Sequence, residues 1–245
     1  MNFKLKGHEL FVSKMKDQLY LVSSKNRTIM TSFLSPVEQE IVKSMVGNTL
    51  DVRFDGGYAQ SERKIAILSR EQVDYSDVVC LHAVYDSRFK ELSHRDLLGA
   101  LMHLGIERDQ LGDLIVDAED VYIFCKESMA DFIQSSCTLV GRCVLNFEVV
   151  YDVMIERSNR EELVVNAASL RLDCVVAALG HCSRSMACEW IRQGFVKVND
   201  VVLDEIVVLC NNDFVSIRKV GRFQFMQVAS TTRKNRMILR FDQFK

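Results

Sequence analysis

Four basic side chains are spaced so that they could bind phosphate groups. The segment 171–199 reads RLDCVVAALGHCSRSMACEWIRQGFVKVN, and its cations are Arg171, Arg184, Arg192 and Lys197. Arg184 and Arg192 lie two four-residue steps apart, so they share one face of a predicted helix. Ser183 is placed to cap the N-terminus of this helix, where backbone N–H groups and the helix dipole attract anions. The spacing favours phosphate binding, but an ordinary solvated basic helix face would have the same spacing.

Two short helices, a corner and a strand are predicted to position these side chains. The first helix has an apolar stripe and ends at Gly180. Its stripe consists of Leu172, Val175, Val176 and Leu179. The second helix runs to Gln193 and stops at Gly194. Alternation in the following strand predicts that Lys197 and Asn199 point away from the core.

The charge distribution is uneven although the net charge is only −2. Residues 166–245 contain 12 Lys and Arg against 7 Asp and Glu, whereas the preceding residues contain 19 against 26. A basic end on an acidic body is typical of a protein that contacts phosphates with one end. Chance clustering gives the same totals, so charge alone does not decide.

The remaining chain predicts an α+β, multidomain protein. Residues 1–75 indicate a small helix-helix-hairpin domain, with helices over 4–23 and from Pro36, and strands at 50–54 and 64–68. Residues 157–162, RSNREE, are predicted to connect the middle domain to a C-terminal domain over 166–245. The single proline and eleven glycines argue against long disordered linkers.

Residues 76–160 show the element order β-α-β-β-α-β of ferredoxin-like domains. Strands are predicted at 78–85, 111–117, 121–126 and 144–150, and helices from Ser93 and over 128–140. The predicted strands lack the paired exposed aromatic residues of a base-stacking RNA-recognition face. Many unrelated proteins share this order, so it assigns no function.

Composition and motifs favour a cytoplasmic protein without a cofactor, metal, membrane segment or small-molecule substrate. None of the eight cysteines forms a CxxC pair, which indicates free thiols in a reducing compartment. No run is long and apolar enough for a membrane helix, and the N-terminus lacks signal-peptide features. Phosphate-loop, nucleophile-elbow and HExxH patterns are missing, so no catalytic residue is assigned.

The segment from Arg171 onward resembles the S4 RNA-binding domain. The resemblance rests on RLD at 171–173, SRS at 183–185, Ala187, Ile191, Gly194, Val196, Val198 and Asn199, and it continues through NDFVSIRKVGRF to Phe223. One departure is Asn212, where the S4 family usually has glycine, although asparagine also tolerates positive φ. The resemblance implies an αL-type fold that binds structured RNA.

Nearly the whole chain is similar to the YlmH family of bacterial S4-domain proteins. This likeness rests on SPVEQEIV at 35–42, GGYAQSERKIAIL at 56–68 and SHRDLLGALMHLGIERDQLGDLIV at 93–116. It implies an N-terminal region, a middle RNA-binding domain and a C-terminal S4 domain. It also implies rRNA and tRNA as partners, on the large ribosomal subunit, in quality control of stalled subunits.

The candidate RNA-binding residues fall into two groups. Those predicted on the S4 face are Arg171, Ser183, Arg184, Ser185, Arg192, Gln193, Lys197 and Asn199. Possible secondary contacts are Arg63, Lys64, His94, Arg95, Arg222, Arg233, Lys234 and Arg236. For Arg63 and Lys64 a solvated hairpin end remains an alternative, and for His94 and Arg95 a role in starting a helix.

Two other functions remain open on the sequence. The first is an RNA-modifying enzyme that uses S4 for targeting. Its candidate groups are Asp55, His94, Asp96 and Asp113. The second is an interaction adaptor for cell division, whose acidic body binds a protein.

Overall fold

The computed structural model contains two compact units, residues 1–156 and residues 157–245. It describes residues 7–47, 50–88, 90–151, 153, 155, 160–203 and 205–244. Helices and sheets occur in both units, which confirms the α+β, multidomain class. The division of the first unit near residue 75 stays a prediction.

The first part of unit 1 packs two helices on a three-stranded antiparallel sheet. Its elements are α1 (Glu9–Lys25), β1 (Ile29–Met30), α2 (Pro36–Val46), β2 (Asp51–Asp55) and β3 (Ile65–Ser69), with sheet order β1-β3-β2. A reciprocal capping box starts α2, because Ser35 N–H donates to Glu38 Oε2 at 2.7 Å and Glu38 N–H to Ser35 Oγ at 3.4 Å. The two-residue strand β1 was not predicted. Residues 4–6 of the predicted first helix lie outside the described residues.

The second part of unit 1 is a four-stranded antiparallel sheet with two helices on one face. Its elements are β4 (Val78–Val84), α3 (His94–His103), a 3-10 turn (Arg108–Gln110), β5 (Leu111–Asp117), β6 (Asp120–Lys126), α4 (Glu127–Ser136), β7 (Leu139–Val140), β8 (Cys143–Val144) and β9 (Glu148–Val150). The sheet order β5-β6-β4-β9 is that of a ferredoxin-like domain.

Two expectations for this sheet are wrong in detail. The helix predicted over 128–140 ends at Ser136, and the small hairpin β7–β8 then turns at Gly141, whose φ is 61°. The strand predicted at 144–150 is therefore split. The sheet also carries a pair of neighbouring aromatic rings, His82 and Tyr122, which the sequence did not reveal because the strand register was unknown.

In unit 2, two helices pack against a six-stranded antiparallel sheet. Its elements are β10 (Arg160–Ala167), α5 (Leu172–Leu179), α6 (Arg184–Arg192), β11 (Val196–Val198), β12 (Val201–Val202), β13 (Phe214–Ile217), β14 (Gly221–Thr231) and β15 (Met237–Phe244), in sheet order β10-β15-β14-β13-β11-β12. Strand β10 pairs with β15 along its whole length, so the sheet begins within the segment expected to be a connector. Phe223, Phe225 and Phe241 are fully buried in this unit.

Among the described helices, none is long and apolar enough to cross a membrane.

Candidate RNA-binding site

The corner between α5 and α6 is built by one left-handed residue and one close ring contact. Gly180 has φ −86°, so its freedom to adopt positive φ is not what the corner uses, and His181 takes φ 48° instead. A Cβ atom added at Gly180 would lie 2.6 Å from Cζ3 of Trp190. Gly180 is therefore required by the packing of α6 against α5 rather than by the helix end itself. Ser183 caps α6, as predicted, by accepting a hydrogen bond from Met186 N–H at 3.2 Å.

Two arginines at this corner share one buried carboxylate. Arg184 Nε donates to Asp173 Oδ2 at 2.5 Å, and Arg171 Nε donates to Asp173 Oδ1 at 3.2 Å. The Asp173 side chain is 1% exposed, whereas those of Arg171 and Arg184 are 48% and 58% exposed. The buried carboxylate thus holds both guanidinium groups in position. About half of each arginine side chain stays exposed and available to a ligand. We call this group the Arg-Asp-Arg triad.

The carboxylate of the triad is held in its charged form. Burial of Asp173 favours the neutral acid, but hydrogen bonds and positive charge from Arg184 and Arg171 outweigh it, so the pKa of Asp173 lies below its ordinary value. Asp173 was not among the predicted site residues. An acidic residue between the apolar stripe positions of α5 and two positions after Arg171 was the signal that could have identified it.

A pH prediction follows from the lowered pKa of Asp173. The triad stabilises unit 2 above the unfolded-state pKa, about 3.9, and this contribution is lost as pH falls through the lower folded-state pKa. At neutral pH, Asp173→Asn should reduce the free energy of unfolding by about 1–3 kcal/mol. Below pH ~4, the difference between wild type and variant should shrink. Urea unfolding at several pH values, followed by fluorescence of the single tryptophan, Trp190, measures it. A difference that is constant down to pH ~2 would contradict the assignment.

The other predicted S4 residues occupy exposed positions, with one exception. Arg192 lies in the last turn of α6, Gln193 ends that helix, and Lys197 lies between two buried valines on β11. Ser183 and Ser185 are exposed, and their hydroxyl oxygens are 3.0 Å apart. Gln193 Nε2 donates to Glu189 at 2.8 Å.

Asn199 is the exception, because it is only 5% exposed. Its Nδ2 donates to Asp213 Oδ1 at 2.9 Å, and its Oδ1 accepts from Phe214 N–H at 3.0 Å. The prediction that Asn199 points away from the core is wrong, because the chain leaves the extended conformation there, at φ 53°. Through these hydrogen bonds Asn199 stabilises the turn after β11 and does not face a ligand. Asn212 adopts φ 70°, as the resemblance to S4 domains implied for that turn.

Arg63 turns inward, away from the position expected of an RNA contact. Its Nη2 donates to Phe33 O at 2.8 Å and its Nε to Leu111 O at 3.2 Å. It is neither on a solvated hairpin end nor on an open basic surface. Lys64 is half-buried, and its backbone bridges to Leu34.

Buried Asp113 holds the loop that contains Arg63 through three hydrogen bonds. It is 4% exposed and accepts hydrogen bonds from Tyr58 Oη at 2.6 Å, Glu62 N–H at 2.8 Å and Arg63 N–H at 3.1 Å. These bonds tie the loop after β2 to strand β5. Asp113 is therefore a structural anchor.

The remaining residues considered for catalysis also have structural partners. Asp96 closes a capping box with Ser93 and pairs with Lys90 at 2.6 Å. Asp55 accepts from Gly57 N–H at 2.9 Å. His94 and Arg95 are exposed in the first turn of α3. Among the described residues, no three His, Cys, Asp or Glu side chains are arranged to hold a metal ion.

The secondary candidates in unit 2 divide between the sheet and the tip of its last hairpin. Arg222 lies over Phe214, 4.8 Å from the ring centroid, and 3.8 Å from Asp200. Arg236 Nη2 donates to Asn166 O at 3.1 Å, which ties the tip to β10. Arg233 and Lys234 are exposed at the turn between β14 and β15.

The fold and the triad define a multidomain α+β protein that ends in an S4-type RNA-binding module. A model of the S4 domain matches residues 170–206, and a model described as "Putative RNA-binding domain in YlmH" matches residues 71–151. The chain is 31% identical over 248 residues to the ribosome-associated protein quality control protein P2 of Bacillus subtilis, covering 98% of this chain and 96% of that protein. The chain belongs to the YlmH family.

A solved structure shares the fold. The cell division protein ylmH from Streptococcus pneumoniae is 24% identical, with a TM-score of 0.51. The match covers 58% of this chain and 90% of that chain.

Proposed function

We propose that this protein is a non-enzymatic RNA-binding protein that docks on structured RNA of the large ribosomal subunit, either rRNA, tRNA or both. The observation that carries the proposal is the Arg-Asp-Arg triad, in which a buried carboxylate presents two half-exposed guanidinium groups. The name of the Bacillus subtilis relative, a ribosome-associated protein quality control protein, supports a ribosomal target. The proposed role is quality control of stalled subunits. A cytoplasmic location follows from that target.

The triad suits phosphate groups for a physical reason. A guanidinium offers several N–H donors in a planar fork, and the phosphate oxygens accept two of them at once. Because Asp173 already fixes Arg171 and Arg184, little side-chain entropy is lost when RNA binds. The N-terminus of α6, with Ser183 and Ser185, adds short donors beside them. Such contacts position the protein on RNA and carry little sequence information.

Further phosphate contacts are proposed where the basic side chains are exposed. Arg192 and Lys197 are exposed on α6 and β11, and Arg233 and Lys234 are exposed at the tip of the last hairpin. In unit 1, Arg95 remains a candidate at the start of α3. Arg63 is not part of this set because its guanidinium group donates hydrogen bonds to two backbone carbonyls.

The placement of the acidic residues supports a non-enzymatic role. Asp113, Asp96 and Asp55 each accept hydrogen bonds that stabilise a loop or a helix start. Changing the charge or position of one of them during a reaction would disturb these bonds. RNA binding by the S4-type unit requires no such change.

Crosslinking in living cells, followed by sequencing of the attached RNA, tests the proposed target. We expect reads concentrated on a few positions of large-subunit rRNA and on tRNA. The double variant Arg184→Gln with Arg192→Gln should lose them, whereas Arg27→Gln with Arg142→Gln, which removes the same charge from exposed positions in unit 1, should keep them. Reads spread evenly over cellular RNA would contradict the proposal.

A further inference from the structure

Within the part of the chain that the structure describes, one face of the four-stranded sheet is only partly covered. Leu81, Val121 and Ile123 point to the helix side and form its core. The alternate residues point the other way, where Tyr58 packs on Phe124 with ring centroids 4.8 Å apart. One row further along the strands, Tyr122 packs against the edge of this buried cluster. There His82 and Tyr122 are half-buried, and Val84, in the next row, is 59% exposed. We call this region the open sheet face.

Two stacked rings form the centre of the open sheet face. His82 on β4 and Tyr122 on β6 are directly paired across the two central strands. Their ring centroids are 4.6 Å apart at an interplanar angle of 24°. His82 Nε2 lies 2.6 Å from Asp120 Oδ1, which fixes the histidine ring against the tyrosine. The pair is therefore a preorganised aromatic surface.

Carboxylates surround the ring pair on the same face. Strand alternation places Asp117, Asp120 and Glu148 on this side. Glu148 is paired with His82 and Asp117 with Asp120, so their Cβ atoms lie about 5 Å apart. Asp117 and Glu148 are exposed.

Two cations described on β6 and after β4 already have acidic partners. Lys126, at the far end of β6 on this face, lies 3.3 Å from Asp77. Arg88, in the segment after β4, pairs with Asp86 at 2.5 Å. Because these two cations are already paired, they do not neutralise the carboxylates around the ring pair.

These charges decide which class of macromolecule fits the face. In RNA-recognition domains of similar topology, aromatic residues on the central strands stack on bases while basic residues hold the backbone. Here the rings are framed by carboxylates, which repel phosphates. A guanidinium or ammonium group is attracted by the same carboxylates and by the face of an aromatic ring.

We propose that the open sheet face binds a cationic segment of a protein partner, with an arginine or lysine side chain over Tyr122 and flanking basic residues paired with Asp117 and Glu148. Charge complementarity selects this occupant, and the exposed Val84 accommodates an adjoining apolar side chain. The site lies on another unit from the triad, so this docking and RNA binding are separable.

The test uses the full chain and fluorescein-labelled synthetic peptides of alternating arginine and glycine, with a lysine version and a glutamate version. Fluorescence anisotropy should show binding of the two basic peptides and not of the acidic one. Tyr122→Leu should weaken this binding by about fivefold or more, whereas Tyr122→Phe, which keeps the ring, should stay within about twofold. Asp117→Asn with Glu148→Gln, both exposed, should weaken it by about fivefold.

The matched control removes equal charge from outside this face. Asp131, exposed on α4, and Glu107, exposed after α3, are changed to Asn and Gln. The control should bind the peptides as the wild type does. Equal loss in the control and the face variant, or undiminished binding in both Tyr122→Leu and the face variant, would overturn the proposal. So would loss of a single-stranded RNA probe in Tyr122→Leu with peptide binding unchanged, since that outcome assigns the face to RNA.

Discussion

Replacing Arg184 and Arg192 by glutamine should weaken binding to large ribosomal subunits by about 30-fold, or roughly 2 kcal/mol, at moderate salt. Each arginine that neutralises a phosphate releases a counterion on binding. The slope of log affinity against log salt should therefore fall by about 0.7–0.9 per lost contact. Filter binding or sedimentation over a range of salt concentrations measures both the affinity and the slope.

The control for this experiment separates contact from total charge. Arg27→Gln with Arg142→Gln changes the net charge equally at exposed positions of unit 1. It should leave the slope unchanged. If the Arg184 and Arg192 variant keeps both its affinity and its slope, the RNA-binding surface lies elsewhere. A reduced affinity with an unchanged slope would indicate lost packing instead of lost phosphate contacts.

Asp113→Ala should reduce the free energy of unfolding of unit 1 by about 3–4 kcal/mol. The substitution leaves the buried Tyr58 hydroxyl and the N–H groups of Glu62 and Arg63 without their common acceptor. Urea unfolding followed by far-ultraviolet circular dichroism measures the loss. Hydrogen exchange gives a local readout, because the Glu62 and Arg63 amides should exchange at least about tenfold faster.

Asp55→Ala is the comparison for this substitution, because Asp55 accepts one hydrogen bond, from Gly57 N–H, in the same loop. Its cost should be about 1 kcal/mol. Equal costs for the two variants, or unchanged exchange at Glu62 and Arg63, would show that Asp113 does not anchor this loop.

Short sequence patterns predicted the helices and strands, but not which residues far apart in the chain contact each other. The cap at Ser183 depends on a residue three positions away, so the sequence was enough to predict it. Asp113 meets partners about fifty positions earlier in the chain, and nothing local identifies them. Arg63 was consequently predicted on the surface although it binds backbone carbonyls.

The RNA-binding role of the basic residues stays a prediction. Arg184 and Arg192 are the first and last residues of α6, and Arg171 directly precedes α5, which agrees with the two short helices that the sequence predicted. The prediction for Asn199 was wrong because strand alternation stops where φ becomes positive, and an asparagine at a turn can adopt positive φ. The His82–Tyr122 pair was missed because two rings forty positions apart meet only once the strand register is known.

The Arg-Asp-Arg triad also constrains how this chain can evolve. Losing Arg184 first would leave the buried Asp173 with one partner, and losing Asp173 first would leave two arginines near each other without their counterion. Either single step costs folding stability before any benefit appears. Drift at these three positions therefore requires compensating changes, so selection for a stable fold would preserve the two arginines proposed to contact RNA even during periods when binding is not under selection.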